Sequence, residues 1–426
     1  MTIEICKTAE ALRKHRDENL DKSKFALNII PFDSTKSWFL KHGTVSHESR
    51  GFFHILGLTL PNTDFESIVL YQPQSALTGL LIAEHDGEMY TCVQARAEPG
   101  NTGVVQYGPT VQSTAANYMK LHGGRDTDFI DHFQSYPSGS RLISFSMQVD
   151  LGELYYQKSK THNYIETDKL LPTTLNTTWV PISVLSDMSL EPFFLNTDLR
   201  SLAAMYDWDY HVTGERSSDE PPTELLDFYF RSKGRTKQQY LLTSLHELKN
   251  WRLGSSGVEA VGEHTRYMCL FECQALTREV ATWVQPLIGV ESPGLVVLYR
   301  RVTASGPEYL LSVREEYGID NQSIIAPSRV VHPGGDISAV DRVGTVYRTF
   351  EHSEEGGRFI NHESTFEIRN VDGSYERLAN EFWVTPGQLK QLFLCSNIIS
   401  IQLRVMACGL LDELNPKTLG SNRPAQ

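Results

Sequence analysis

A chain of 426 residues is long for one hydrophobic core, so two domains are the natural expectation. With 40% hydrophobic and 21% charged residues it is an ordinary soluble globular protein. The formal net charge of -13 argues against nucleic acid as the main partner, though a few basic groups inside a pocket could still hold a small anion. No apolar run approaches the roughly 18 to 20 residues of a membrane span. The opening stretch is polar and reads as an amphipathic helix, which leads to the expectation of a cytoplasmic protein without membrane contact. Six cysteines are scattered, and only Cys269 and Cys273 lie close, which favours buried reduced thiols over a zinc site.

Strands are expected at Ser67 to Gln72 and, around an Asp86-Gly87 turn, at Gly79 to Glu84 and Met89 to Arg96. The next stretch, Gln94 to Gly124, is neither a clean strand nor a clean helix. Polar groups able to hold a ligand crowd it: Gln94, Arg96, Glu98, Asn101, Gln106, Thr110, Gln112, Asn117 and His122. Gly100, Pro109 and Gly123-Gly124 punctuate it, so it reads as strand, site loop, strand and short helix. A polar connection that satisfies only its own backbone is the alternative. Strands at Ile143 to Val149 and Glu153 to Gln157 follow, then a helix from Thr197. Val212 to Pro222 is the clearest linker, charged and closed by two prolines. Helices at Thr223 to Arg231 and Thr236 to Trp251 and strands at Tyr267 to Gln274 and Glu279 to Gln285 open the second half.

The second half repeats the first. Gln72-Pro73 recurs as Gln285-Pro286, and Glu98, Gly100 and Pro109 recur, at one constant displacement, as Glu316, Gly318 and Pro327. Trp179-Val180, Leu185 and Leu199-Arg200 recur with unchanged spacing as Trp383-Val384, Leu389 and Leu403-Arg404. The expectation is an α+β protein of two tandem domains from an internal duplication, residues 1–215 and 216–426.

Particular motifs resemble a known family. They are IPF at Ile30, RGFF at Arg50, EPGN at Glu98, VQxxPTVQ from Val105 to Gln112, Asn117-Tyr118 and HGG at His122. In the second half they are REV at Arg278, WVQPL at Trp283, EGGRF at Glu355 and GQL after Trp383. Together they resemble the sugar-nucleotide 2,3-dehydratases that act on dTDP-4-keto-6-deoxyglucose. The segments Gln148 to Gly152 and Lys158 to Asn163 depart from the family pattern, with two arginines missing, as do Pro327 to Val330 and His362 to Phe366.

The resemblance implies two Nudix-like domains, a homodimer and a hydro-lyase that needs no cofactor and no metal. It also implies a downstream 3-ketoreductase to consume the product. Such a lyase takes the C3 proton that the C4 ketone acidifies and expels the C2 hydroxyl. The candidates for acid and base are Glu98, Tyr118 and His122, with Lys158 behind them. For Glu98 the competing role is bonding backbone N–H groups across its turn, and for His122 capping a helix end. Gln72, Gln94, Asn101, Gln106, Thr110, Gln112 and Asn117 are neutral groups for the sugar, Arg96 is the candidate for the diphosphate, and Tyr71 or Tyr107 could stack on the base. Arg314, Glu316, Arg329 and Arg358 are expected in a second, remnant pocket. Two other readings stand beside this one: the same fold acting on another nucleotide sugar or natural-product intermediate, and a non-catalytic nucleotide-sugar binder.

Overall fold

The computed structural model describes residues 2–121, 123–234, 238–261, 266–320 and 322–420. The chain forms four mixed sheets, two of seven strands and two of six, with helices packed between and around them. The Asp86-Gly87 turn forms as its residues require: both have positive φ, the geometry of a tight hairpin, between the strands Ala76–His85 and Glu88–Ala97.

Around that hairpin the first seven-stranded sheet runs in the order Ser140–Val149, Ser159–Thr167, Ala76–His85, Glu88–Ala97, Thr177–Pro181. Val105–Pro109 and Val111–Ser113 are added along its hairpin. Its single parallel pair joins Ser159–Thr167 to Ala76–His85. The second sheet matches it strand for strand: Thr345–Ser353, Glu363–Asn370, Gly294–Thr303, Gly306–Glu315 and Glu381–Val384. Its parallel pair falls at the equivalent place.

The two six-stranded sheets also correspond, and each borrows one strand from the other half. Ala26–Ile29 pairs antiparallel with Arg266–Gln274, and Leu241–Thr243 pairs antiparallel with His54–Thr59. The expected helix from Thr236 to Trp251 is therefore overturned. Leu241–Thr243 is an edge strand and Leu245–Glu247 a single 3-10 turn, so the helix-like Leu spacing serves tertiary pairing instead. Residues 235–237 lie outside the described part. Of the expected linker Val212 to Pro222, residues 212 and 213 end the helix Trp208–Thr213, and residues 214–222 carry neither helix nor strand.

One sequence match does not survive the register. Leu70 pairs with Tyr155 and Ile288 with Phe359 at the equivalent point of the second half, so Gln285-Pro286 lie well before the counterpart of Gln72-Pro73. The other two matches hold. Gly100 packs on the 356–359 turn, where a Cβ would collide with the Phe359 carbonyl, and Gly318 packs in the same way on Gly152 and Tyr155. Each half thus plugs its glycine turn into the other.

At the centre, helix Thr197–Met205 is buried on every side and packs beside Ile401–Cys408. A helix with no wet face needs its polar groups satisfied internally. Arg200 accordingly donates to the carbonyls of Ser189, Glu191 and Leu195, and Arg404 to those of Ile399 and Val149 and to Ser201 Oγ. All six cysteines are free thiols.

Candidate active site

A cavity of about 500 Å³ opens where the two halves meet. Strand alternation puts Gln94, Arg96 and Glu98 on one face of the chain. Arg96 Nη1 donates to Gln94 Oε1 at 2.7 Å, and its Nε and Nη2 donate to Glu98 Oε1 at 3.2 and 3.1 Å. Arg278, from the other half, donates to the same oxygen at 3.0 Å and reaches Glu279 at 3.2 Å. Burial would raise the Glu279 carboxyl, but Arg278 and Arg96 outweigh it and hold the group well below its usual value. Glu98 is thereby a buried anchor that aligns two guanidiniums.

A second charged cluster lies in the same cavity. Lys160 Nζ lies 2.8 Å from Glu355 Oε2, 3.0 Å from Asp198 Oδ1 and 3.1 Å from Asp150 Oδ2. Lys160, Asp198 and Glu355 line the cavity; Asp150 supports from behind. Three carboxylates outweigh the burial of Lys160 and keep it protonated. One ammonium cannot balance three anions. Burial together with the charges of Glu355 and Asp150 pushes Asp198 up to about 6 in spite of Lys160, whereas Lys160 and Arg358 outweigh burial and hold Glu355 low. Asp198 sits in the first turn of its helix, whose N-cap Asn196 accepts from Leu199 N and donates to Gln112 Oε1, each at 2.9 Å. Asp198 Oδ2 is buried without a hydrogen-bond partner.

From this cluster the wall changes character stepwise. Arg358 follows Glu355 on the same turn and lies over the Phe53 ring at 4.5 Å; Phe53 meets Trp38 at 4.9 Å, and Trp38 meets His47 at 5.2 Å. Arg278 and Trp283 repeat the pairing of guanidinium with indole at 5.9 Å. The cavity therefore grades from a charged Lys160–carboxylate cluster through guanidiniums to aromatic rings.

Of the expected site residues, Arg96, Glu98, Gln112 and Asn117 line this cavity. Gln94 faces an adjoining space of about 40 Å³ with Arg125 and Asp128. Three others hold backbone or the other half. Asn101 Nδ2 donates to the carbonyls of Arg96 and Val104, Gln106 Nε2 to Thr102 O and Ser353 Oγ, and Thr110 Oγ1 to Cys92 O. Gln72 is buried outside the lining, as is Lys158, whose Nζ donates to Gln74 O at 2.6 Å and whose pKa burial lowers to about 8. Tyr118 is half-buried beside Asn117 without lining the cavity. His122 lies outside the described residues. Tyr107 is a core residue that donates to Leu12 O and meets His15 Nδ1, and Tyr71 is absent from the lining, so neither is the stacking ring.

Arg358, expected in the second pocket, lines this first one, because the 355–358 turn crosses over to it. Arg329 instead pairs with Glu381 and donates to Tyr375. Arg314 and Glu316 do stay together, at 3.9 Å. The region around them is filled: Arg266 Nη2 donates to Glu153 Oε1 and His332 Nδ1 meets Glu153 Oε2, both at 2.6 Å. A larger groove of about 1470 Å³ on another face is lined by charges that neutralise one another, such as Arg348 with Asp412 and Lys390 with Asp207.

Sequence reasoning passed over Lys160, Asp198, Glu355 and the aromatic wall as site residues. Arg278, Trp283 and Glu355 stood in quoted motifs, and Lys160 in the departing Lys158 to Asn163 segment. The missing signal was that second-half segments fold into the first-half cavity.

A family model described as NDP-hexose 2,3-dehydratase matches residues 9–205, 222–335 and 336–410. A curated relative from Amycolatopsis orientalis is 27% identical, over 94% of this chain and 89% of its own length. One from Streptomyces violaceoruber is 26% identical, over 90% and 93%, and one from Saccharopolyspora spinosa is 24% identical, over 92% and 89%. Each is named a dTDP-4-dehydro-6-deoxy-alpha-D-glucopyranose 2,3-dehydratase.

Proposed function

The chain belongs to the NDP-hexose 2,3-dehydratase family and is a hydro-lyase, and from that premise we propose that it removes water across C2 and C3 of dTDP-4-keto-6-deoxyglucose in the cavity between its halves. The observation that carries the placement is the graded wall. The aromatic end suits a nucleobase, Arg358 and Arg278 suit the diphosphate, and the sugar then meets Lys160 and Asp198.

In this reading Asp198 is the base that takes the C3 proton. It is buried, has an unoccupied oxygen, and burial raises its pKa to about 6, within the range useful to a general base. Gln112, its carbonyl oxygen engaged by Asn196, turns its amide toward the C4 oxygen, where charge develops in the transition state. Glu98, bound by two guanidiniums, holds the substrate-binding arginines in place instead of taking a proton. Matching strand order supports the division at 215/216 into duplicated halves, each of which we read as Nudix-like, with one working pocket per chain. A homodimer and a partner 3-ketoreductase complete the reading.

Incubation of the purified protein with dTDP-4-keto-6-deoxyglucose, a 3-ketoreductase and NADPH, followed by mass spectrometry, tests it. Loss of one water followed by reduction, read as a net loss of one oxygen from the sugar, is expected, and Asp198→Asn should lower turnover by about 100-fold or more. Full turnover in that variant, with loss of turnover in Glu98→Gln, would return the base to Glu98.

A further inference from the structure

Two carboxylates that line the cavity, Glu98 and Glu279, are held by Arg96 and Arg278. His47 lies at the aromatic end with its Nδ1 engaged by Ser49 Oγ at 2.8 Å, and burial lowers its pKa. At the sugar end, Lys160 Nζ and Asp198 Oδ1 are 3.0 Å apart and both side chains are almost wholly buried, at 5% and 2% exposure. Elimination needs both a base for carbon and an acid for the leaving oxygen, because hydroxide leaves poorly.

In a gluco-configured pyranose the hydrogen on C3 and the oxygen on C2 lie on the same face of the ring. One wall can therefore reach both. Building on the dehydratase reading above, we propose that Lys160 and Asp198 act as a single proton-transfer unit on that face, Asp198 taking the C3 proton and Lys160 protonating the departing C2 oxygen. The C3–H bond breaks and its electron pair passes into the enolate on the C4 oxygen. The C4 carbonyl then re-forms as the C2–C3 double bond forms and the C2–O bond breaks, the oxygen leaving as water with a proton from Nζ. Asp198 hands its proton to the neutral amine across their hydrogen bond, so the pair is restored with no proton from solvent. Glu355 and Asp150 hold Nζ between them throughout, which makes them positioning residues.

The C2 epimer of the substrate separates this arrangement from one with an acid on the other wall. In the manno configuration the C2 oxygen points to the opposite face while the C3 hydrogen is unmoved. With wild-type protein in heavy water, the epimer should exchange its C3 hydrogen and lose water at no more than about a hundredth of the rate of the gluco substrate. Water loss from the epimer within about tenfold of that rate would overturn the one-wall unit. Lys160→Arg, which keeps the positive charge beside Asp198 but does not give up its proton, gives an independent decision on the gluco substrate. C3 exchange should persist while water loss falls by about 100-fold or more. Equal loss of both, or of neither, would also overturn it. Failure of the wild type to dehydrate the gluco substrate at all would instead remove the dehydratase reading on which the unit rests.

Discussion

Among single residues, Arg358 is a half-buried cation in the cavity wall with an unmet donor. Its guanidinium stacks on Phe53, donates from Nη1 to the Gly357 carbonyl at 2.6 Å, and keeps a buried Nε without a partner. An unsatisfied buried donor costs about 1–3 kcal/mol, and a diphosphate oxygen would recover it on binding. Arg358→Ala should therefore weaken binding of thymidine diphosphate by about 10- to 100-fold, measured by titration calorimetry. Arg329→Ala should leave it unchanged, since that guanidinium is committed to Glu381 and Tyr375. Arg358→Lys should not restore binding, because a point charge cannot keep both the stack and the fork of donors. A loss in Arg329→Ala equal to that in Arg358→Ala would move the anion site into the second half.

At the scale of elements, the helix Thr197–Met205 ties chemistry to packing, and its cap is the joint between them. Asn196 closes the helix N-terminus through Leu199 N and also orients Gln112. Asn196→Ala should cost about 1 kcal/mol of stability from the lost cap. It should also lower kcat more than it raises KM, since Asp198 and Gln112 both lose their placement; calorimetric melting and steady-state kinetics check the two parts. An effect on melting alone would make the cap purely structural. This helix start was legible in the sequence, as was the Asp86-Gly87 hairpin, because a capping residue and a turn dipeptide act over a few neighbouring positions. The exchanged strands were not. Leu241–Thr243 carries Leu at helix-like spacing, and only its partner His54–Thr59, far away in sequence, makes it a strand. The cavity followed the same division. EPGN and PTVQ marked Glu98 and Gln112 directly, and the polar run from Gln94 marked Arg96, whereas Arg358 was assigned to the wrong pocket because nothing local says that its turn crosses between halves. Lys160 and Asp198 become a pair only across two elements whose contact is purely tertiary.

For the whole molecule, interlocked halves mean that buried ionisable groups in either half weigh on one folded unit, and their opposed titrations set its pH optimum of stability. Among the described residues four histidines are buried: His15, His162, His352 and His362. Burial lowers His15 to about 4 and His362 to about 3, and depresses the other two strongly. Unfolded, all four would protonate near 6.5. Below that pH the unfolded chain thus binds more protons than the folded one, and stability falls as pH is lowered toward 4. Glu354 works in the opposite direction. Burial and the nearby Asp150 push its carboxyl from the usual 4.5 up to about 8, so between those values the folded chain holds the extra proton and stability falls as pH rises. Asp198 adds the same sign between 3.8 and about 6, and Lys158, lowered to about 8, opposes the fall only above that pH. Only above about pH 7, where the unfolded histidines have lost most of their protons, does Glu354 govern the slope. Melting temperature should peak near pH 7 and decline on both sides. Glu354→Gln, which keeps the shape without the charge, should abolish the decline from 7 to 8 and leave the acid limb intact. If the glutamine variant melts with the same alkaline decline as the wild type, the proton stored in the folded state resides on another group.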